Sequence, residues 1–113
     1  MRVLIIEDDP LLAMDLEDTL QAAGFEVQGS AASVEQGLLA IDRSPPEVAT
    51  LDYHLGRETS EAVAKRLRSM NIPYCYISGH GDHLSNRENA PVIAKPANPG
   101  TVVRTVRELA LQS

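Results

Sequence analysis

Cysteine is nearly absent from this chain, long apolar runs are absent altogether, and positive charge is in deficit. Cys75 is the one thiol, so no internal disulfide can form. Flanked by Tyr74, Tyr76 and Ile77, it reads as a small apolar residue within a strand. No apolar run approaches the roughly 20 residues of a membrane-spanning helix, and no basic segment precedes an apolar one at the N-terminus. These two absences make a cytoplasmic protein the expectation. Ten lysines and arginines stand against sixteen acidic side chains, a formal net charge of −6. That balance argues against broad attraction to nucleic acid, to membrane surfaces or to any other polyanion.

What is present is alternation. The 113 residues suffice for one domain, expected over 1–113, with one ordinary core and no need of disulfides or structural metal. Val3 to Ile6 reads as a strand. Pro10 suits a first helical position behind a capping Asp9, Leu12, Leu16 and Leu20 share a face, and Gly24 ends the helix. Val27 to Ser30 reads as a more polar edge strand. Ser33 with Gln36 resembles a capping box, and Val34, Leu38 and Ile41 form one stripe before Pro45 and Pro46.

The second half repeats the scheme. Val48 to Leu51 is a third strand, Ser60 caps a helix with Val63, Leu67 and Met70 inward, and Tyr74 to Ile77 is a fourth strand. Val92 to Ala94 is a fifth, followed by a helix with Val102, Val103, Val106 and Leu109 on its inner face. Strands that alternate with helices imply parallel pairing and right-handed crossovers, hence a doubly wound five-stranded α/β sheet. The interval 79–90 breaks the pattern: it holds Gly79, Gly81, Asp82, Ser85 and Asn86, and Leu84 is its one large apolar residue. A short or irregular fourth helix is expected there.

The chemically capable residues fall at carboxyl ends of strands. Glu7 and Asp8 end the first, Asp52 the third, Ser78 the fourth and Lys95 the fifth. In an open parallel sheet of order 2-1-3-4-5, ligands bind beyond those ends, where strand order reverses between strands one and three. Clustered carboxylates need a cation to stay ionised together, and hard Mg²⁺ prefers one or two carboxylates, waters and a phosphate oxygen. Asp52 beside such a metal could attack a phosphoryl group, with Lys95 as counter-charge and Ser78 as hydrogen-bond donor. Each residue also has an ordinary reading. Asp9 is an N-cap, Asp8 favours a helix N-terminus, Ser78 and Asp52 could open turns, and Lys95 could be a solvated strand-end charge.

The stretches "IIEDD", "LDYHLG", "YISGHG" and "IAKP", in this order over most of the chain, resemble the receiver domains of two-component response regulators. "PYCYISGHGD" followed by "APVIAKP" looks most like the alphaproteobacterial branch, here as a stand-alone receiver without an output domain. The resemblance implies a flavodoxin-like receiver fold. It also implies that Asp52 accepts phosphate from a histidine kinase or phosphotransfer protein, and that a downstream protein target reads the result. It places Mg²⁺ on Asp8, Asp52 and the backbone carbonyl of His54, with Glu7 acting through water and a cis bond between Lys95 and Pro96. Self-catalysed phosphoryl transfer and autodephosphorylation would be its whole chemistry, so it is not expected to be an enzyme in the usual sense.

Three departures from the family pattern bear on the readout. Ser78 stands where threonine is frequent and keeps the hydroxyl. Val92 stands at the position that often holds a switch aromatic, and "YHLGRETS" replaces the usual "LPxxxG" after the acceptor. His54 and His80 lie two residues beyond Asp52 and Ser78, positions that in receivers flank the phosphoryl group; they could tune its lifetime or be plain loop residues. A Zn²⁺ site built with His83 lacks a completing cysteine or carboxylate. Two other function classes stay open. One is a receiver-like interaction module that is never phosphorylated, favoured by Val92 and the altered 79–90 segment. The other is a phosphatase of the haloacid-dehalogenase type, which would want an aspartate where His54 stands.

Overall fold

The computed structural model describes residues 1–79 and 90–112. In chain order these form β1 (Arg2–Ile6), α1 (Pro10–Ala22), β2 (Glu26–Ala31), α2 (Val34–Arg43) and β3 (Val48–Asp52). A small hairpin of β4 (His54–Leu55) and β5 (Glu58–Thr59) follows, then α3 (Glu61–Ser69), β6 (Tyr74–Ser78), β7 (Val92–Ala94) and α4 (Pro99–Ala110). The main sheet has the order β2-β1-β3-β6-β7 with every neighbouring pair parallel. Setting the hairpin aside, this is the 2-1-3-4-5 order and the flavodoxin-like receiver fold that the sequence implies. The short or irregular helix expected within 79–90, and His80 with it, lie outside the described residues apart from Gly79 and Ala90.

Local chemistry sets the helix starts. Asp9 is extended and its Oδ1 accepts from the amides of Leu11 at 2.9 Å and Leu12 at 3.4 Å, with Pro10 at the first helical position. A side chain there satisfies amides that the helix itself leaves unpaired. Ser33 accepts from Gln36 N at 3.1 Å, and Gln36 reaches back to Ala32 N at 3.1 Å, one residue before the amide a standard capping box would use. Asn98 caps α4 in the manner of Asp9.

Three expectations need correction. Ser60 precedes α3 but makes no side-chain cap, because its backbone at φ −85°, ψ 13° is not extended. Its amide instead donates to Tyr53 O at 2.9 Å. Met70 is exposed rather than inward, since α3 ends at Ser69 and the chain turns away at Asn71 with φ 58°. Leu12 sits on the outer edge of α1, while Ala13, Leu16 and Leu20 face the sheet.

The sheet is buried on both faces, as parallel sheets are. One face carries Leu4, Ile6, Ala49, Leu51, Tyr74 and Tyr76 against α2 and α3. The other carries Val3, Ile5, Val48, Cys75, Ile77 and Ile93 against α1 and α4. Each fully buried Val, Leu or Ile contributes about 1.5–3 kcal/mol relative to exposure. Contact is close at Gly37 in α2, where a Cβ would lie 3.1 Å from Ile6 Cδ1 and 3.3 Å from Val63 Cγ2.

Candidate functional site

Register brings the site together. Ile6 pairs with Leu51, so the next residue on β1, Glu7, stands level with Asp52. Asp52 pairs with Ile77, and Ile77 with Ile93, so the same row continues across β6 and β7. Side chains alternate along strands. Glu7, Asp52 and Lys95 thus share the parity of Ile5, Ile77 and Ile93 and rise on the α1/α4 side of the sheet. Asp8 lies one residue further, where β1 has ended.

Glu7 and Asp52 are both buried, at 3% and 7% exposure, and Asp8 is exposed. Two carboxylates in the interior raise each other's energy, and Lys95 answers them. Its Nζ donates to Glu7 Oε1 at 3.1 Å and lies 3.3 Å from Asp52 Oδ2. Glu7 Oε2 accepts from Asp9 N at 3.1 Å, and Asp8 Oδ2 accepts from Gly56 N at 2.9 Å. Burial, opposed by the Asp9 amide and reinforced by Asp52, pushes the Glu7 carboxyl up to about 7. Burial pulls the Lys95 ammonium down, but its hydrogen bond to Glu7 and the charges of Asp52 and Glu7 outweigh that and leave it raised.

One ammonium does not balance three carboxyl groups. Glu7, Asp8 and Asp52 each offer an oxygen within 4.8 Å of the others, the arrangement a cation would occupy among the described residues. The donor set is hard oxygen with no nitrogen or sulfur, which fits Mg²⁺ and not Zn²⁺.

Ser78 is buried at the end of β6, one residue past the Asp52–Ile77 row, and its carbonyl accepts from Lys95 N at 3.1 Å. The Lys95–Pro96 bond is cis, as the resemblance implies. His54 is exposed, its ring edge-on to Tyr53 at 5.0 Å. Val92 is half-buried on β7, paired with Tyr76.

Two features escaped the sequence reading. The first is the hairpin: "HLGRET" holds Gly56-Arg57 between short extended pairs, a signal for a two-residue turn. The second is a run of aromatic contacts, Tyr53 edge-on to Tyr76 at 5.8 Å and Tyr76 to Tyr74 at 5.7 Å. Tyr53 also donates from its hydroxyl to Glu61 Oε1 at 2.7 Å, joining the residue after Asp52 to the first turn of α3. The thiol of Cys75, fully buried, is pushed up to about 12 and takes no part.

A parallel sheet with a carboxylate cluster and a lysine at its switch point defines a flavodoxin-like protein with an acidic pocket. The family model for the response regulator receiver domain matches residues 3–107, and the chain belongs to that family, a family of two-component signalling and phosphorelay. It is similar to the phyllosphere-induced regulator PhyR of Methylorubrum extorquens, 30% identical over 112 residues that span 94% of this chain and 42% of that protein. The transcriptional regulatory protein PdtaR of Mycobacterium tuberculosis is 30% identical over 71 residues, 63% of this chain and 35% of that protein. The chain thus spans less than half the length of these curated relatives.

Among solved structures, the response regulator PhyR from Brucella abortus superimposes with a TM-score of 0.84 at 28% identity, covering 98% of this chain and 47% of that one. A putative response regulator from Chloroflexus aurantiacus gives 0.86 at 28% identity, covering 97% of each. Receiver domains interact with kinases and downstream targets, and they bind Mg²⁺ at an acidic pocket. Among the described residues no helix is long and apolar enough to cross a membrane.

Proposed function

We propose that residues 1–113 form one receiver domain in which Asp52 accepts a phosphoryl group from a histidine kinase or phosphotransfer protein, in a Mg²⁺-dependent reaction, and that a downstream protein reads the altered surface. The observation that carries this is Lys95 Nζ between Glu7 and Asp52, 3.1 and 3.3 Å away, beside an acidic trio short of positive charge.

In the transfer an Asp52 carboxylate oxygen forms a bond to phosphorus as the P–N bond of the donor phosphohistidine breaks. The imidazole leaves and keeps the nitrogen lone pair. Asp8 and Asp52, with the His54 carbonyl, would hold the cation, and Glu7 would reach it through water. Mg²⁺, when bound, supplies charge neutralisation for the phosphoryl oxygens. Lys95 then turns from Asp52 toward a phosphoryl oxygen, and Ser78 donates a hydrogen bond to another. His54 and His80, by the resemblance of their sequence positions to those of receivers, would tune how readily water reaches the phosphoryl group. Net activity is self-phosphorylation and autodephosphorylation, with no turnover of other substrates. The setting in this reading is cytoplasmic, and the net charge of −6 argues against nucleic acid or membrane as partner.

A second reading, a receiver-like interaction module that is not phosphorylated, is favoured by Val92, whose small aliphatic side chain cannot serve as a rotating aromatic signal. Incubation with Mg²⁺ and acetyl phosphate, then intact-mass measurement, separates the two. One phosphoryl adduct that disappears in Asp52→Asn supports the first. No adduct from acetyl phosphate or from a cognate kinase supports the second.

A further inference from the structure

We infer that Gly56 is a positioning residue for the divalent-cation site: the tip of the β4–β5 hairpin presents its amide to Asp8 and holds that carboxylate where a cation would need it. This rests on the reading of the acidic trio as a Mg²⁺ site and adds a device that the trio does not itself contain.

The rim beyond Asp52 is built as a closed hairpin. At its base Ser60 N donates to Tyr53 O at 2.9 Å, and above it His54 pairs with Thr59 and Leu55 with Glu58. Leu55 is buried at 3% exposure in the core beneath α3, which anchors the hairpin to the body of the protein. The turn is Gly56-Arg57, and Gly56 has φ +63° while Arg57 is not among the positive-φ residues. That pattern fits a two-residue turn of type II′, which takes glycine at its first central position. The geometry leaves the Gly56 amide free of the ladder, and it donates to Asp8 Oδ2 at 2.9 Å, across 48 residues of sequence.

The consequence is chemical. Asp8 is exposed and lies past the end of β1, so its own strand does not fix its rotamer. A charge-assisted hydrogen bond to one oxygen orients the carboxylate and leaves the other oxygen for a cation. The turn glycine and the hairpin go together, and both serve Asp8.

The test uses the full chain, ¹⁵N-labelled, with Mg²⁺ alone as the probe. Without metal, Asp8→Ala is expected to move the Gly56 amide proton upfield while the β4–β5 cross-peaks persist. Gly56→Asn, which tolerates positive φ and keeps the amide, is expected to bind Mg²⁺ within a few-fold of the wild type. L-proline, fixed near about −65°, cannot take the Gly56 conformation at φ +63°, so the amide is removed with D-proline at position 56, introduced by chemical ligation, which keeps a positive φ and lacks the N–H. That protein, with its β4–β5 cross-peaks intact, is expected to bind Mg²⁺ at least about tenfold more weakly, the usual cost of losing a supporting partner of a ligand. A Gly56 amide shift that ignores Asp8→Ala overturns the inference, as does a D-proline protein that binds Mg²⁺ like the wild type. A wild-type chain that shows no Mg²⁺ response at Asp8 and Asp52 refutes the cation reading itself, a separate outcome.

Discussion

Lys95 Nζ lies 3.1 Å from Glu7 Oε1 although the two residues are 88 positions apart. One ammonium therefore serves two buried carboxyl groups, Glu7 and Asp52, and the metal-free site depends on it.

Removal of that ammonium is expected to be costly. Lys95→Gln leaves Glu7 and Asp52 facing each other without a cation. Because the Lys95 side chain is 23% exposed, the loss should be about 1–3 kcal/mol, below the figure for a fully buried pair. Urea denaturation in EDTA at pH 8 and pH 5.5 measures it. The loss should shrink at pH 5.5, where protonated Glu7 no longer needs a partner; an equal loss at both values would contradict the assignment.

Glu7 also predicts a pH slope. Its folded value of about 7 lies above the ordinary 4.5, so between those values the folded state binds more protons than the unfolded chain. By linkage this group makes the metal-free protein lose stability as pH rises from about 4.5 through 7. Mg²⁺ favours ionised carboxylates, so its affinity should rise over the same interval. Denaturation in EDTA and NMR titration with Mg²⁺ at pH 6 and 8 should move in opposite directions.

Asp8 and Asp9 are neighbours with separable tasks. Asp9→Ala removes the cap of α1 and should lower stability by about 1 kcal/mol with Mg²⁺ affinity nearly unchanged. Asp8→Ala should do the reverse, abolishing the Mg²⁺ response at little cost in stability. Thermal melts and Mg²⁺ titrations of both variants test the division.

Cys75, fully buried with its thiol pushed up to about 12, should be unreactive in the folded chain. Iodoacetamide at pH 8 is expected to label it only at the rate of unfolding, so labelling should accelerate with urea. Rapid labelling in native buffer would place Cys75 outside the core.

The order of the five main strands and of the helices between them was legible in the sequence because each of these carries its own period and some helices their own caps, as at Asp9 and Ser33. The positions of Glu7, Asp8, Asp52, Ser78 and Lys95 followed, since strand ends are local features and a parallel sheet gathers them on one edge. Tertiary structure decided the rest. Which carboxylates share Lys95 depends on the register of Ile6 with Leu51 and Ile77 with Ile93, and register is set by packing across distant segments. The hairpin has two-residue strands, too short for any period, so Gly56 showed itself only where its amide met Asp8. Met70, Leu12 and the uncapped Ser60 depended on where α1 and α3 rotate and end, which the shape of the core fixes and the apolar pattern alone does not.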